Sequence, residues 1–264
     1  MKRNVIIVVA FLVVMGFSSI SLFAEEEEPK HQSFLLTEVV IHKCKAAEYE
    51  KLSEEMVALY AEHKSTYPWY EFVTDDLNYM YSIPIMDYAD IDAMDKEDNE
   101  IWKKIGEEKG KQIEERWADI IKCSQTWITT HREDLSYQPE SPRLEAKKAN
   151  FRHIVNYYIK VGSTNEFVEV LIKLKDLCKS KNVADVYNVY TGDIGTEWPM
   201  YSVIFHAESA ADFHAIDEKN MELLGEEAKI LLKKLFTLIR KRDVRTAWLR
   251  PDLSYFPKKE EVKE

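Results

Sequence analysis

One eight-residue segment occurs twice. Arg132-Glu133-Asp134-Leu135-Ser136-Tyr137-Gln138-Pro139 returns 118 residues later as Arg250-Pro251-Asp252-Leu253-Ser254-Tyr255-Phe256-Pro257, with six of the eight positions identical. A 264-residue chain with the same tail at two such places has room for two bodies of one plan, each of about 100–120 residues. That constrains the fold strongly, because two like halves expose two like apolar faces, and each face needs cover.

The bodies carry the same correspondence. Glu48-Tyr49 matches Glu166-Phe167 at a spacing of 118, and Gly106-Glu107-Glu108 matches Gly225-Glu226-Glu227 at 119. Ala89-Asp90 and Ala93 match Ala211-Asp212 and Ala215 at 122, and the four extra residues fit a longer loop at Gly192–Pro199. Insertions confined to loops are what duplication followed by drift produces. The expected layout is a first repeat over 33–137, a linker over 138–149, a second repeat over 151–257 and a charged tail at 258–264.

Within the first repeat, Ser33–Lys43 reads as a strand. Tyr49, Leu52, Met56, Leu59 and Tyr60 make the stripe of a helix from Ala46 to His63. Tyr70–Thr74 and Asn78–Ile85 flank Asp75-Asp76 as a hairpin. A second helix carries Trp102, Ile105, Ile113, Trp117, Ile120 and Ile121, and Thr126–His131 is a fourth strand. The second repeat restarts with Phe151–Val161, whose alternation sends Phe151, His153, Val155 and Tyr157 to one face and Arg152, Ile154, Asn156 and Tyr158 to the other. Ser163 and Glu166 have the spacing of a capping box for the helix that follows.

Strand, helix, strand, strand, helix, strand makes a four-stranded antiparallel sheet with both helices on one face. The bare face is an apolar liability unless the other copy covers it. The predicted fold class is therefore α+β, with two tandem ferredoxin-like βαββαβ repeats packed sheet to sheet. The repeated tail is expected to reach across and lock the pair. In this plan the chain resembles the dimeric α+β barrel superfamily, which includes NIPSNAP-like, EthD-like and antibiotic-biosynthesis-monooxygenase-like proteins and the haem-using chlorite dismutases. The resemblance covers residues 33–257 and rests on topology and duplication, with no family motif matched residue by residue. It implies a pocket between sheet and helices or in the barrel interior, and functions that range from oxygen chemistry to none.

Composition narrows the partners. A formal charge of −11, or −13 without the segment that carries Lys2 and Arg3, repels phosphate backbones and disfavours nucleic acid. Seven glycines in all, and no Gly-rich motif, speak against a phosphate loop. Residues 1–24 have the charged start, apolar run and Ala24 exit of an export signal, which predicts a periplasmic or extracellular protein. The alternative is a membrane tether over 5–23. An acidic leader follows at 25–32. Cys44, Cys123 and Cys178 lack paired spacing and are expected to be buried free thiols.

No catalytic signature stands out. The candidate ligand-binding residues are His153, His206 and His214 with Tyr157, Tyr187 and Tyr201 in the second repeat, and Glu38, Arg152 and Asn156 on the opposite strand face. The first-repeat counterparts of the three histidines are Leu35, Pro84 and Asp92, so the histidines are particular to one copy. Glu38 and Arg152 are expected to pair if their faces meet inside a barrel. The acidic run Asp87–Glu100 reads as a solvated helix start, not a metal site. Trp102, Trp117, Trp127 and Trp248 are read as core. The expectation is an exported protein that binds a small apolar or aromatic molecule. The alternatives are a cofactor-free monooxygenase or haem enzyme, with His153 or His214 as the iron ligand, and an interaction scaffold.

Overall fold

The computed structural model describes residues 32–258. The predicted leader, its tether alternative over 5–23, most of the 25–32 stretch and the last six residues lie outside the described residues.

Eight strands and five helices run in the order β1 (Ser33–Ile41), α1 (Ala46–Glu62), β2 (Tyr70–Thr74), β3 (Tyr79–Ile85), α2 (Ala89–Ile105), α3 (Glu107–Ile120), β4 (Ile121–His131), β5 (Phe151–Ile159), α4 (Thr164–Ser180), β6 (Tyr187–Gly192), β7 (Met200–Ala207), α5 (Ala210–Leu238) and β8 (Ile239–Leu249). The strands close a barrel in the order β1-β3-β2-β8-β5-β7-β6-β4, all of it antiparallel. Each half contributes the ferredoxin-like order 4-1-3-2. The halves join along two short seams, β2 with β8 and β4 with β6. Closure through these seams removes every sheet edge.

The duplication is visible in irregular details. Both first strands slip register at the same place, between Val40 and Ile41 and between Tyr158 and Ile159. Gly106 and Gly225 both adopt positive φ, at 86° and 65°. That conformation suits glycine, and at both places it interrupts the second helix of the half, separating α2 from α3 and kinking α5.

The repeated tail exchanges partners between halves. Leu135, from the first repeat, is fully buried in the core of the second, beside Val155, Phe167 and Leu235. Leu253, from the second, is fully buried in the core of the first, beside Leu52 and Tyr79. The polar residues secure each plug in the same manner. Ser136 Oγ donates to Arg132 O at 2.8 Å and accepts from Val189 N at 2.8 Å, on β6 of the other half. Ser254 Oγ donates to Arg250 O at 2.8 Å and accepts from Glu71 N at 2.9 Å. Tyr137 and Tyr255 donate their hydroxyls to Val183 O and Ser65 O, both at 2.8 Å. The leucine, serine and tyrosine of each tail thus reach into the opposite half or brace the turn that gets them there.

Several local expectations change. β4 starts at Ile121, directly after α3, five residues before the predicted start, so Ile121 belongs to a strand. The capping box does not form: Ser163 makes no side-chain cap, and Glu166 pairs with Lys234 across to α5 at 2.5 Å. The acidic run lies inside α2 except for Asp87, just ahead of it, and Glu97 is more than solvated, because it accepts from Ser65 Oγ at 2.6 Å and Thr66 N at 2.9 Å. The three cysteines are unpaired, but Cys44 and Cys123 are exposed; only Cys178 is buried. Cys44 sits in a tight turn and Cys123 on the exposed first half of β4, where no layer covers them.

Candidate functional site in the barrel lumen

Strand alternation divides the sequence candidates into two groups. On β5, the even residues Arg152, Ile154, Asn156 and Tyr158 face the lumen, while Phe151, Val155 and Tyr157 face the helices. On β7, Met200, Ser202, Ile204 and His206 face inward. The lumen therefore collects Glu38, Arg152, Asn156 and His206 around a cavity of about 540 Å³. An eight-stranded barrel is just wide enough to hold one small ligand. The volume lies in the range of about 300–1,000 Å³ usual for small-molecule sites.

The other candidates lie elsewhere. Tyr157 and Tyr201 pack on Phe167 in the helix-side core, at 5.8 and 5.2 Å between ring centroids. Tyr187 packs on Phe205 at 5.8 Å, and burial pushes the Tyr157 and Tyr187 hydroxyls above the usual phenol range. His153 stacks on Phe213 at 4.1 Å, and its buried Nδ1 has no hydrogen-bond partner among the described residues. His214 is exposed on α5. The nine candidates are thus not one site, because a strand presents alternate residues to opposite faces.

Inside the lumen, Glu38 does not pair with Arg152. Arg245 on β8 takes it in a two-pronged ion pair, one arm of which measures 3.0 Å. Asn78 Nδ2 also reaches Glu38, at 3.3 Å, and Asn156 Nδ2 lies 3.4 Å from Asp243 Oδ2. Arg152 is left without a carboxylate among the described residues. Its Nη1 donates to Phe151 O at 3.0 Å and to Ala149 O, and its guanidinium lies 5.9 Å from the centre of the Phe72 ring. Burial pulls its proton affinity down to about 10, against the helping influence of Tyr190, so it remains a cation at neutral pH.

The neighbours of Arg152 stay neutral. Desolvation, with Arg152 adding to it, lowers His206 to about 3. The neutral ring is held by Asn188 Nδ2 at 2.9 Å from Nε2. Burial raises the Tyr190 hydroxyl to about 12, so it keeps its proton and can donate. Phe34 meets Tyr190 edge-on at 5.8 Å.

Sequence reasoning missed Tyr190, Phe72, Trp127, Asp243 and Arg245, all of which line the lumen. Trp127 is a wall of the cavity, not core. Its signal was available, since alternation on the strand expected over Thr126–His131 sets Trp127 on the face opposite Ile128. The β8 run Arg240-Lys241-Arg242-Asp243 is charged on both faces and offers no alternation to read. The inserted loop 193–199 closes over one side: Asp193 N and Ile194 O bond the backbone of Ile128, and Gly195, Thr196 and Glu197 join the lining.

No family model matches the sequence, and no curated protein does. Solved structures do match. An anthrone oxidase-like protein superposes with a TM-score of 0.56 at 13% identity, over 84% of this chain and 92% of that one. A protein of Lactobacillus acidophilus NCFM, assigned provisionally as a monooxygenase, gives 0.53 at 9%, over 86% and 97%. A point mutant of the chlorite dismutase of Candidatus Nitrospira defluvii gives 0.50 at 10%, over 85% and 93%. The fold is the dimeric α+β barrel. Identities this low establish the fold alone.

The lumen lining includes one histidine, His206, whose Nε2 is occupied by Asn188. His153 has Phe213 flat against its ring, and His214 faces solvent. Among the described residues, no group of three or more His, Cys, Asp or Glu side chains is placed to hold a metal ion. No helix there is long and apolar enough to cross a membrane.

Proposed function

We propose that the protein is a small-molecule carrier or sensor that holds an apolar or aromatic compound inside its barrel. The observation that carries this reading is the lumen of about 540 Å³, with Phe34, Leu36, Phe72 and Trp127 on its walls beside a few fixed polar groups. Aromatic walls with sparse, placed polar groups are the usual make-up of such sites. Two descendants of one ancestral half, 33–137 and 151–257, supply the walls, and the leader over 1–24 supports export.

Native mass spectrometry of protein purified from its own host tests the reading. A retained species should appear that denaturation releases, and Ser202→Trp, which fills the lumen from β7, should abolish it. A wild-type protein that never carries or takes up a small molecule would overturn the proposal. The same spectra give the mass of the mature N-terminus, which tests cleavage after Ala24.

A second reading, that the bound compound is oxidised, draws support from the similar structures named for oxidase or monooxygenase activity. His206 is a poor base there, since its ring stays neutral down to about pH 3. Oxygen uptake by protein loaded with its retained compound would separate the two readings.

A further inference from the structure

The duplication contains its own control for Arg152. At the equivalent position the first repeat has Phe34, and the registers agree: Phe34 pairs with Pro84 as Arg152 pairs with His206. Likewise Phe72 in the first half corresponds to Tyr190 in the second, each following by one residue the backbone N–H that the tail serine caps. The barrel therefore closes with phenylalanine and proline at the first-half positions and with arginine, histidine and tyrosine at their second-half counterparts. The fold does not require the polar set.

That set is also incomplete. Arg152 uses Nη1 on two carbonyls, while its Nε and Nη2 have no acceptor among the described residues. The Tyr190 hydroxyl likewise has none there. The lumen's carboxylates are engaged elsewhere: Glu38 with Arg245, Glu197 with Lys241 at 3.1 Å, and Asp243 beside Asn156. Asn156 lies four residues along β5 from Arg152, about 13 Å at the usual strand rise. A half-buried cation in a cavity wall, without a counter-charge, favours an anion beside it. Phe72 lies 5.9 Å from the guanidinium and Phe34 5.8 Å from the Tyr190 ring, and both phenylalanines line the same cavity.

We infer that the lumen's ligand is a monoanion with a flat apolar body, a carboxylate whose oxygens rest on Arg152 and the Tyr190 hydroxyl while its ring lies among Phe34, Phe72 and Trp127. This deepens the barrel-binding reading and rests on it. Planar guanidinium suits a carboxylate through paired N–H donors, and bonds to ionised acceptors are the strong ones. The net charge of −11 opposes the approach of an anion, but salt at 0.1 M screens that repulsion beyond about 10 Å. Inside the lumen Glu38 is paired with Arg245 and Glu197 with Lys241, which leaves Arg152 as the unpaired cation at the seat.

Isothermal titration of the full chain with 2-naphthoate and with its neutral isostere 2-naphthamide tests this. The carboxylate is expected to bind at least about tenfold more tightly than the amide. Arg152→Gln should erase that preference while changing amide affinity less than about twofold, which also shows that the variant is folded. Tyr190→Phe should narrow the preference in part. Equal binding of the two probes by wild type, or a preference that survives Arg152→Gln, overturns the anion seat and leaves barrel binding standing. Failure of both probes to bind at millimolar concentration overturns the barrel reading and this inference together.

Discussion

Replacing Glu71 by glutamine should make the protein more stable, and increasingly so as pH rises. Glu71 lies on β2 with only 3% of its surface exposed, on the helix side of the sheet. Tyr49 donates to its Oε1 at 2.8 Å, and the Tyr49 ring stacks on Tyr79 at 3.9 Å. Desolvation raises its carboxyl to about 8; the Tyr49 bond and the charge of Arg250 oppose this without cancelling it. The folded protein therefore holds Glu71 protonated at neutral pH, whereas the unfolded chain releases that proton above about 4.5. A raised carboxyl favours folding fully below the unfolded value and loses that contribution as pH climbs toward the folded one.

Each tenfold difference in proton affinity is worth about 1.4 kcal/mol. Between about pH 4.5 and pH 7 the penalty accumulates to about 3 kcal/mol, and it levels off above pH 8. Glutamine keeps an acceptor for Tyr49 and does not titrate. Urea unfolding of wild type and Glu71→Gln between about pH 5 and pH 9 isolates the effect, because the depressed carboxylates such as Glu50 and Asp252 are common to both proteins. The two stabilities should converge near pH 5 and separate by about 3 kcal/mol at pH 7. A difference that stays constant with pH, or widens toward acid, would refute the assignment of a protonated Glu71.

Three further outcomes follow from the geometry. Leu135→Ala and Leu253→Ala should each cost about 2–5 kcal/mol in denaturant unfolding, although each removes a side chain from the half opposite its own. Ser254→Ala leaves Glu71 N without its acceptor and should cost about 1–3 kcal/mol, with Ser136→Ala doing the same at Val189; hydrogen exchange at those two amides should rise selectively. Gly195→Ala should loosen the 193–199 loop over the lumen. Residue 195 sits at φ 84°, and an added Cβ would meet Thr126 O at 2.6 Å. Limited proteolysis within the loop reports it, and an unchanged cleavage rate would count against the close approach.

Much of the fold was legible before any coordinates. The eight-residue tail announced the duplication, and the helix and strand periods announced the βαββαβ order. The paired glycines at 106 and 225 aligned because both break a helix at the same point. The site was legible only in part. Alternation on β5 correctly separated Arg152 and Asn156 from His153 and Tyr157, yet nothing local could say which face would enclose a cavity. The pairing of Glu38 was unreadable for a related reason. Its partner Arg245 is 207 residues away, on a strand charged on both faces.

What the sequence by itself determined is what depends on neighbours in the chain: which segments are helices and strands, which residues share a face, and that two halves follow one plan. Tertiary structure alone decided which charges meet. Glu38, Arg152 and Arg245 come from three strands and two halves, and only the register of the closed barrel brings Arg245 onto Glu38. Arg152 is left unpaired because a guanidinium is stabilised by whatever stands within a few ångströms of it, and closure of the barrel sets that company.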